Sequence, residues 1–71
     1  MEFSNRVRAL RNERSLTQKM VGQSIGVTAR AVRYYELGAR RPSYELLIAL
    51  ADCFDVSIDY LIGRTEDQRR R

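Results

Sequence analysis

Arg30 and Arg33 stand three residues apart in TARAVRYYE, residues 28–36, with Ala29 before them and Tyr34 after. On a helix begun at Thr28, these four side chains lie opposite Val32 and Tyr35, so one face is basic and the other apolar. A guanidinium carries its donors in a planar fork, and two of them match O6 and N7 of guanine in the major groove. Ala29 is small enough to pack on a thymine methyl, and Tyr34 can stack on a sugar or bond a phosphate, with plain packing at the rim as its blander role. This chemistry is recognition. The chain has no histidine, no glycine-rich phosphate loop and no metal-ligand spacing. Its one cysteine, Cys53, falls on an apolar helix face and is expected in or near the core. Asp55 and Asp59 could be imagined as paired carboxylates, but Asp59 suits the first turn of a helix better. We assign no catalytic residue, no metal site, no cofactor and no small-molecule ligand.

Positioning those side chains takes a small set of helices. Phe3, Val7 and Leu10 recur at helical spacing and predict a first helix from Ser4 to about Arg14. Thr17 is a candidate N-cap for a second, with Met20, Val21 and Ile25 apolar, and Gly26 ends it in the left-handed conformation. Thr28 caps the third, about residues 29–37, which breaks at Gly38 into the basic loop LGARRP. Ser43 caps a fourth with Leu47, Leu50, Ala51 and Phe54 turned inward. Asp55 and Val56 make a turn, Ser57 caps a last helix through Ile62, and Gly63 stops it. No stretch alternates with period two for long enough to be a strand. The fold expected is all-α with five helices, the second and third forming a helix-turn-helix whose second helix lies in the major groove.

Length and charge narrow the class further. Seventy-one residues allow one small core, and a chain 44% hydrophobic and 31% charged is too apolar for disorder. Its longest apolar run is far short of a membrane span, and its N-terminal stretch lacks the apolar run of a signal peptide. With one cysteine, no intramolecular disulfide can form, so we expect a cytoplasmic protein. Such a core normally needs idealised helix packing or oligomerisation. Through Pro42 there are nine basic residues against three acids, net +6, and the remainder nets −2. A basic front of this kind draws phosphates. We place the DNA-binding domain at residues 1–65 and read residues 66–71 as a charged, disordered tail.

Thr17-Gln18, Ile25-Gly26-Val27-Thr28, Val32, Tyr35-Glu36, Gly38, Arg40-Arg41-Pro42-Ser43, Leu47, Leu50-Ala51 and the run Val56 to Thr65 together resemble the lambdoid phage repressor and Cro type of helix-turn-helix. The match covers roughly residues 5–65. It implies a five-helix, repressor-like domain that binds a palindromic operator in double-stranded DNA as a homodimer, commonly as a transcriptional repressor in bacteria or phage. It also implies that Gln18 bonds backbone phosphate and braces the recognition helix, and that Arg11 and Glu36 form a structural ion pair. Base contacts are then expected from Ala29, Arg30, Arg33 and Tyr34, and backbone contacts from Thr17, Gln18, Thr28, Arg40 and Arg41, with Arg8 or Arg11 as further candidates.

The resemblance has departures. Gly22 stands where the family prefers alanine, a change expected to cost about 0.5–1 kcal/mol of helix stability. Ala39 replaces a usual loop lysine, and Arg33 replaces a small polar residue, so base preference does not carry across. Ile58 and Ile62 exceed what one small core uses and are expected at a dimer interface. The rival reading is an antitoxin or other protein-binding module on the same fold, but RTEDQRRR offers no apolar anchor for a toxin. RNA binding is disfavoured because no aromatic stacking platform accompanies the arginines. Arg33-Tyr34-Tyr35-Glu36 also resembles the second half of the motif in the mercury-regulator family, yet the chain continues into helical YELLIALADCF where that family has a winged hairpin.

Overall fold

Four hydroxyls start four of the five helices. The side chains of Thr17, Thr28, Ser43 and Ser57 accept hydrogen bonds from the backbone N–H three residues on, at 3.0–3.2 Å. Each satisfies a donor that the first helical turn would otherwise leave without a partner. The computed structural model describes residues 2–70, so Met1 at the start of the expected domain and Arg71 at the end of the expected tail lie outside the described residues. The order is α1 (Phe3–Glu13), α2 (Gln18–Ile25), α3 (Ala29–Leu37), α4 (Tyr44–Phe54) and α5 (Ile58–Leu61). Gly26 and Gly38 end α2 and α3 at φ +83° and +74°, where a side chain would be strained. Asp55 does the same for α4 at φ +54°, a conformation that aspartate tolerates better than most.

Val7, Leu10, Val21, Val32, Leu50, Phe54, Val56 and Leu61 are wholly buried in one core, with Ala51 and Tyr60 beside them and Cys53 packed against its edge. Helix α2 packs on α3 and α4, while α1 packs on α3 and α5. Met20, apolar by sequence, points outward instead. Among the described residues no helix is long and apolar enough to cross a membrane, and no cluster could hold a metal ion.

At Gly22 the backbone of α2 closely approaches the turn that follows it. A Cβ added to Gly22 would sit 2.6 Å from the carbonyl oxygen of Val27 and 3.1 Å from that of Thr28. The Gly22 carbonyl also accepts from both Gly26 and Val27. Glycine here is therefore not a mere loss of helix propensity: alanine would need the turn to move.

Arg6 is the other surprise in the body, being buried to 2% exposure amid a stripe that reads as apolar. Its guanidinium lies 3.8 Å from the centroid of the Tyr60 ring and bonds Glu66 at 2.9 Å, while its Nε has no partner. Composition suggests a solvated end after residue 65, but residues 66–70 run back along α4 and α5. Ser57 N–H donates to the Gln68 carbonyl at 3.0 Å, and Gln68 donates to the Tyr60 hydroxyl at 3.3 Å. Arg70 bonds the carbonyls of Ala51 and Val56 and pairs with Asp52, which places a cation at the C-terminal end of α4.

Candidate nucleic-acid interface

Helix α3 is held by its inner face. Val32, Tyr35 and Glu36 are buried, and Glu36 at 3% exposure is a charge removed from water. Such a group needs partners, and the two preceding helices supply them. Arg11 of α1 donates from Nε to Glu36 Oε2 at 2.7 Å and from Nη2 to Oε1 at 3.1 Å, and its Nη1 bonds the Leu16 carbonyl at 3.0 Å. Gln18 of α2 donates to Glu36 Oε1 at 3.3 Å. Arg8 reaches the Glu36 carbonyl at 3.0 Å and approaches its carboxylate at 3.9 Å. The bonds to Glu36 hold the Arg11 guanidinium above its ordinary pKa, against the opposing pull of burial.

Arg11 and Glu36 thus form a close pair, and Gln18 touches the same carboxylate, so the bracing contact is a direct hydrogen bond. Arg8, a candidate phosphate contact by sequence, is instead partly engaged at the end of α3. Arg6 has no place in the interface at all. Buried under Tyr60 and Glu66, its guanidinium is also raised in pKa; burial opposes this, and the bond to Glu66 and the interaction with Tyr60 outweigh it.

The outer face of α3 is basic and open. Arg30 and Arg33 are exposed, with Ala29 and Tyr34 half-buried between them and the body. The side chains of Arg33 and Arg41 are exposed and make no hydrogen bond or ion pair among the described residues, so their guanidinium donors are free. Arg30 is engaged. Its Nε donates to the Tyr34 hydroxyl at 2.7 Å, and its Cζ lies 5.5 Å from the ring centroid. Arg40, from the loop after α3, brings its Cζ to 5.3 Å from the same ring. The structure therefore gathers Arg30, Tyr34 and Arg40 into one cluster. The i, i+4 spacing of Arg30 and Tyr34 signals half of that cluster in the sequence. The return of Arg40 depends on the loop path and leaves no such sign.

Thr17 and Thr28 open α2 and α3, and both side chains are used as caps. Each hydroxyl keeps its own proton to donate. Ile58 and Ile62 are both partly exposed, at 37% and 38%, but they do not share one groove. Ile58 lines a depression with Ile48, Val56 and Arg70, whereas Ile62 lines another with Phe3, Leu47, Arg40 and Arg41.

Comparison with known proteins agrees with this geometry. The model of the helix-turn-helix family matches residues 7–61. The chain is 40% identical over 67 residues to the uncharacterized HTH-type transcriptional regulator YqaE of Bacillus subtilis (strain 168), covering 94% of this chain and 58% of that protein. It is 38% identical over 64 residues to the cryptic phage CTXphi transcriptional repressor RstR of Vibrio cholerae, covering 90% and 58%. The chain thus spans a little over half the length of these curated relatives. Among solved structures, the P22 c2 repressor protein in complex with synthetic operator 9T superposes with a TM-score of 0.86 at 29% identity, over 92% of this chain and 98% of that one.

Proposed function

The chain belongs to the helix-turn-helix family, and on that premise we propose that it is a sequence-specific DNA-binding transcriptional regulator, a repressor acting as a homodimer on a palindromic operator. The observation that carries the reading is the outer face of α3, where two arginines stand exposed while Glu36 behind them is pinned to both α1 and α2. A rigid basic helix presented in this way suits the major groove. The P22 c2 repressor, a like fold at nearly full length, is a protein described with its operator, which favours the same partner here. In this reading Ala29, Arg30 and Arg33 meet base edges with Tyr34 at their edge, and Thr17, Gln18, Thr28, Arg40 and Arg41 meet the backbone.

Size supports the homodimer. Two half-sites lie about 34–36 Å apart, and the longest extent of this body is 28 Å. One copy cannot present two recognition helices at that distance. Ile58 and Ile62, apolar and part-exposed, are the residues we place at the contact. Sedimentation of Ile58→Asp checks this: a monomer is expected, and an unchanged dimer removes Ile58 from the interface.

Selection from random duplexes, followed by binding of the winner and a scramble across a salt series, tests the whole reading. A palindromic winner favoured by roughly 10³-fold or more is expected. Arg30→Ala and Arg33→Ala should relax preference at particular base pairs, whereas Arg40→Ala and Arg41→Ala should weaken all sequences alike and flatten the salt slope. Equal, steeply salt-dependent binding to winner and scramble would overturn the reading in favour of a protein partner.

A further inference from the structure

The Arg30 Nε donates to the Tyr34 hydroxyl at 2.7 Å while Arg40 sits over the same ring, and from this we propose that Tyr34 is a positioning residue that aims Arg30 at its base pair. The inference rests on the DNA reading above and assigns Tyr34 a task different from touching a base. An arginine alone on an exposed helix face keeps most of its rotamer freedom, and fixing it on binding costs entropy. Arg30 and Tyr34 are one turn apart on α3, which makes them neighbours on its surface. Engaging Nε leaves both terminal nitrogens, with four N–H groups, free to donate. That is the end of the fork which can meet O6 and N7 of guanine together.

The ring adds a second effect. Arg30 and Arg40 carry like charges that would otherwise spread apart, and the electron-rich face of one aromatic ring attracts both. A side chain for reading bases and one for gripping the backbone are thereby tied to the same tyrosine. The hydroxyl governs the aim of Arg30, and the ring governs the placement of Arg40.

Two substitutions separate these effects, because Tyr34→Phe removes only the hydroxyl and Tyr34→Leu removes the ring as well. Binding is measured to the selected duplex and to its single base-pair variants, with salt series and melting temperature for each protein, alongside Arg30→Ala and the double variant. Tyr34→Phe should lose roughly five- to tenfold discrimination, the scale of one hydrogen bond, at the base pair that Arg30→Ala identifies and at no other. Its salt slope and melting temperature should match the parent, and adding it to Arg30→Ala should cause no further loss. Tyr34→Leu should show the same local loss and also bind every duplex more weakly. The inference is overturned if Tyr34→Phe discriminates like the parent, loses evenly at all base pairs, or adds independently to Arg30→Ala. If the parent prefers no sequence, or Arg30→Ala changes no base preference, the DNA reading or its helix assignment has failed and the inference falls with it.

Discussion

Glu36 is one carboxylate on which three helices depend, since Arg11 comes from α1, Gln18 from α2 and Glu36 itself from α3. Glu36→Ala should lower the free energy of unfolding by about 3–5 kcal/mol in urea titrations, because Arg11 would be left partly buried with no carboxylate. The double change Arg11→Met with Glu36→Leu should recover most of that loss, since an apolar pair of similar volume leaves no charge to compensate. A double variant as weak as Glu36→Ala would mean that the pair adds stability beyond its own desolvation. The pH dependence has a definite sign. The pKa of Arg11 is raised in the fold, so its stabilisation is complete below the ordinary arginine value and is lost only as pH rises through the higher folded one. Melting temperatures through the neutral range should therefore carry no transition from this guanidinium.

At the scale of the element, the junction of α2 and α3 is set by backbone contact rather than by side chains. Gly22→Ala gains about 1 kcal/mol in helix propensity, yet its methyl would meet the Val27 carbonyl at 2.6 Å, a backbone atom that cannot swing aside. We expect a net loss of about 1–3 kcal/mol, typical of overpacking; a urea midpoint at or above the parent's would show that the turn yields freely. The helix starts were legible in the sequence because a Thr or Ser before an apolar-periodic segment has one evident use, and all four such residues accept the cap bond. The ends of α2 and α3 were legible for a similar reason, since Gly26 and Gly38 suit positive φ. Asp55 was harder to read, because aspartate marks turns of many kinds. The basic face of α3 could be drawn from spacing alone, but its internal ties could not. Whether Arg8 is free or engaged depends on where the end of α3 falls beside α1, a tertiary fact that local pattern does not carry.

Across the whole molecule, charge and chain path work at different ends. Basic residues dominate through Pro42 and acids thereafter, so affinity for any duplex should fall with salt through the arginines of the first part. The second part carries the segment that closes the fold. Glu66 is the one carboxylate bonded to buried Arg6 among the described residues, and Arg70 occupies the end of α4. A chain stopped after Thr65 should lose on the order of 1–3 kcal/mol, the usual penalty for leaving a buried polar group unmatched, read as a lower urea midpoint. The contact between Arg6 and Glu66 joins positions 60 residues apart, which gives it a meaning in time as well as in energy. Closing so long a loop costs entropy before any contact repays it, so this clasp belongs on the native side of the folding barrier. Its removal should leave the refolding rate nearly unchanged and speed unfolding, so that the native state's lifetime, rather than its formation, is what residues 66–70 set.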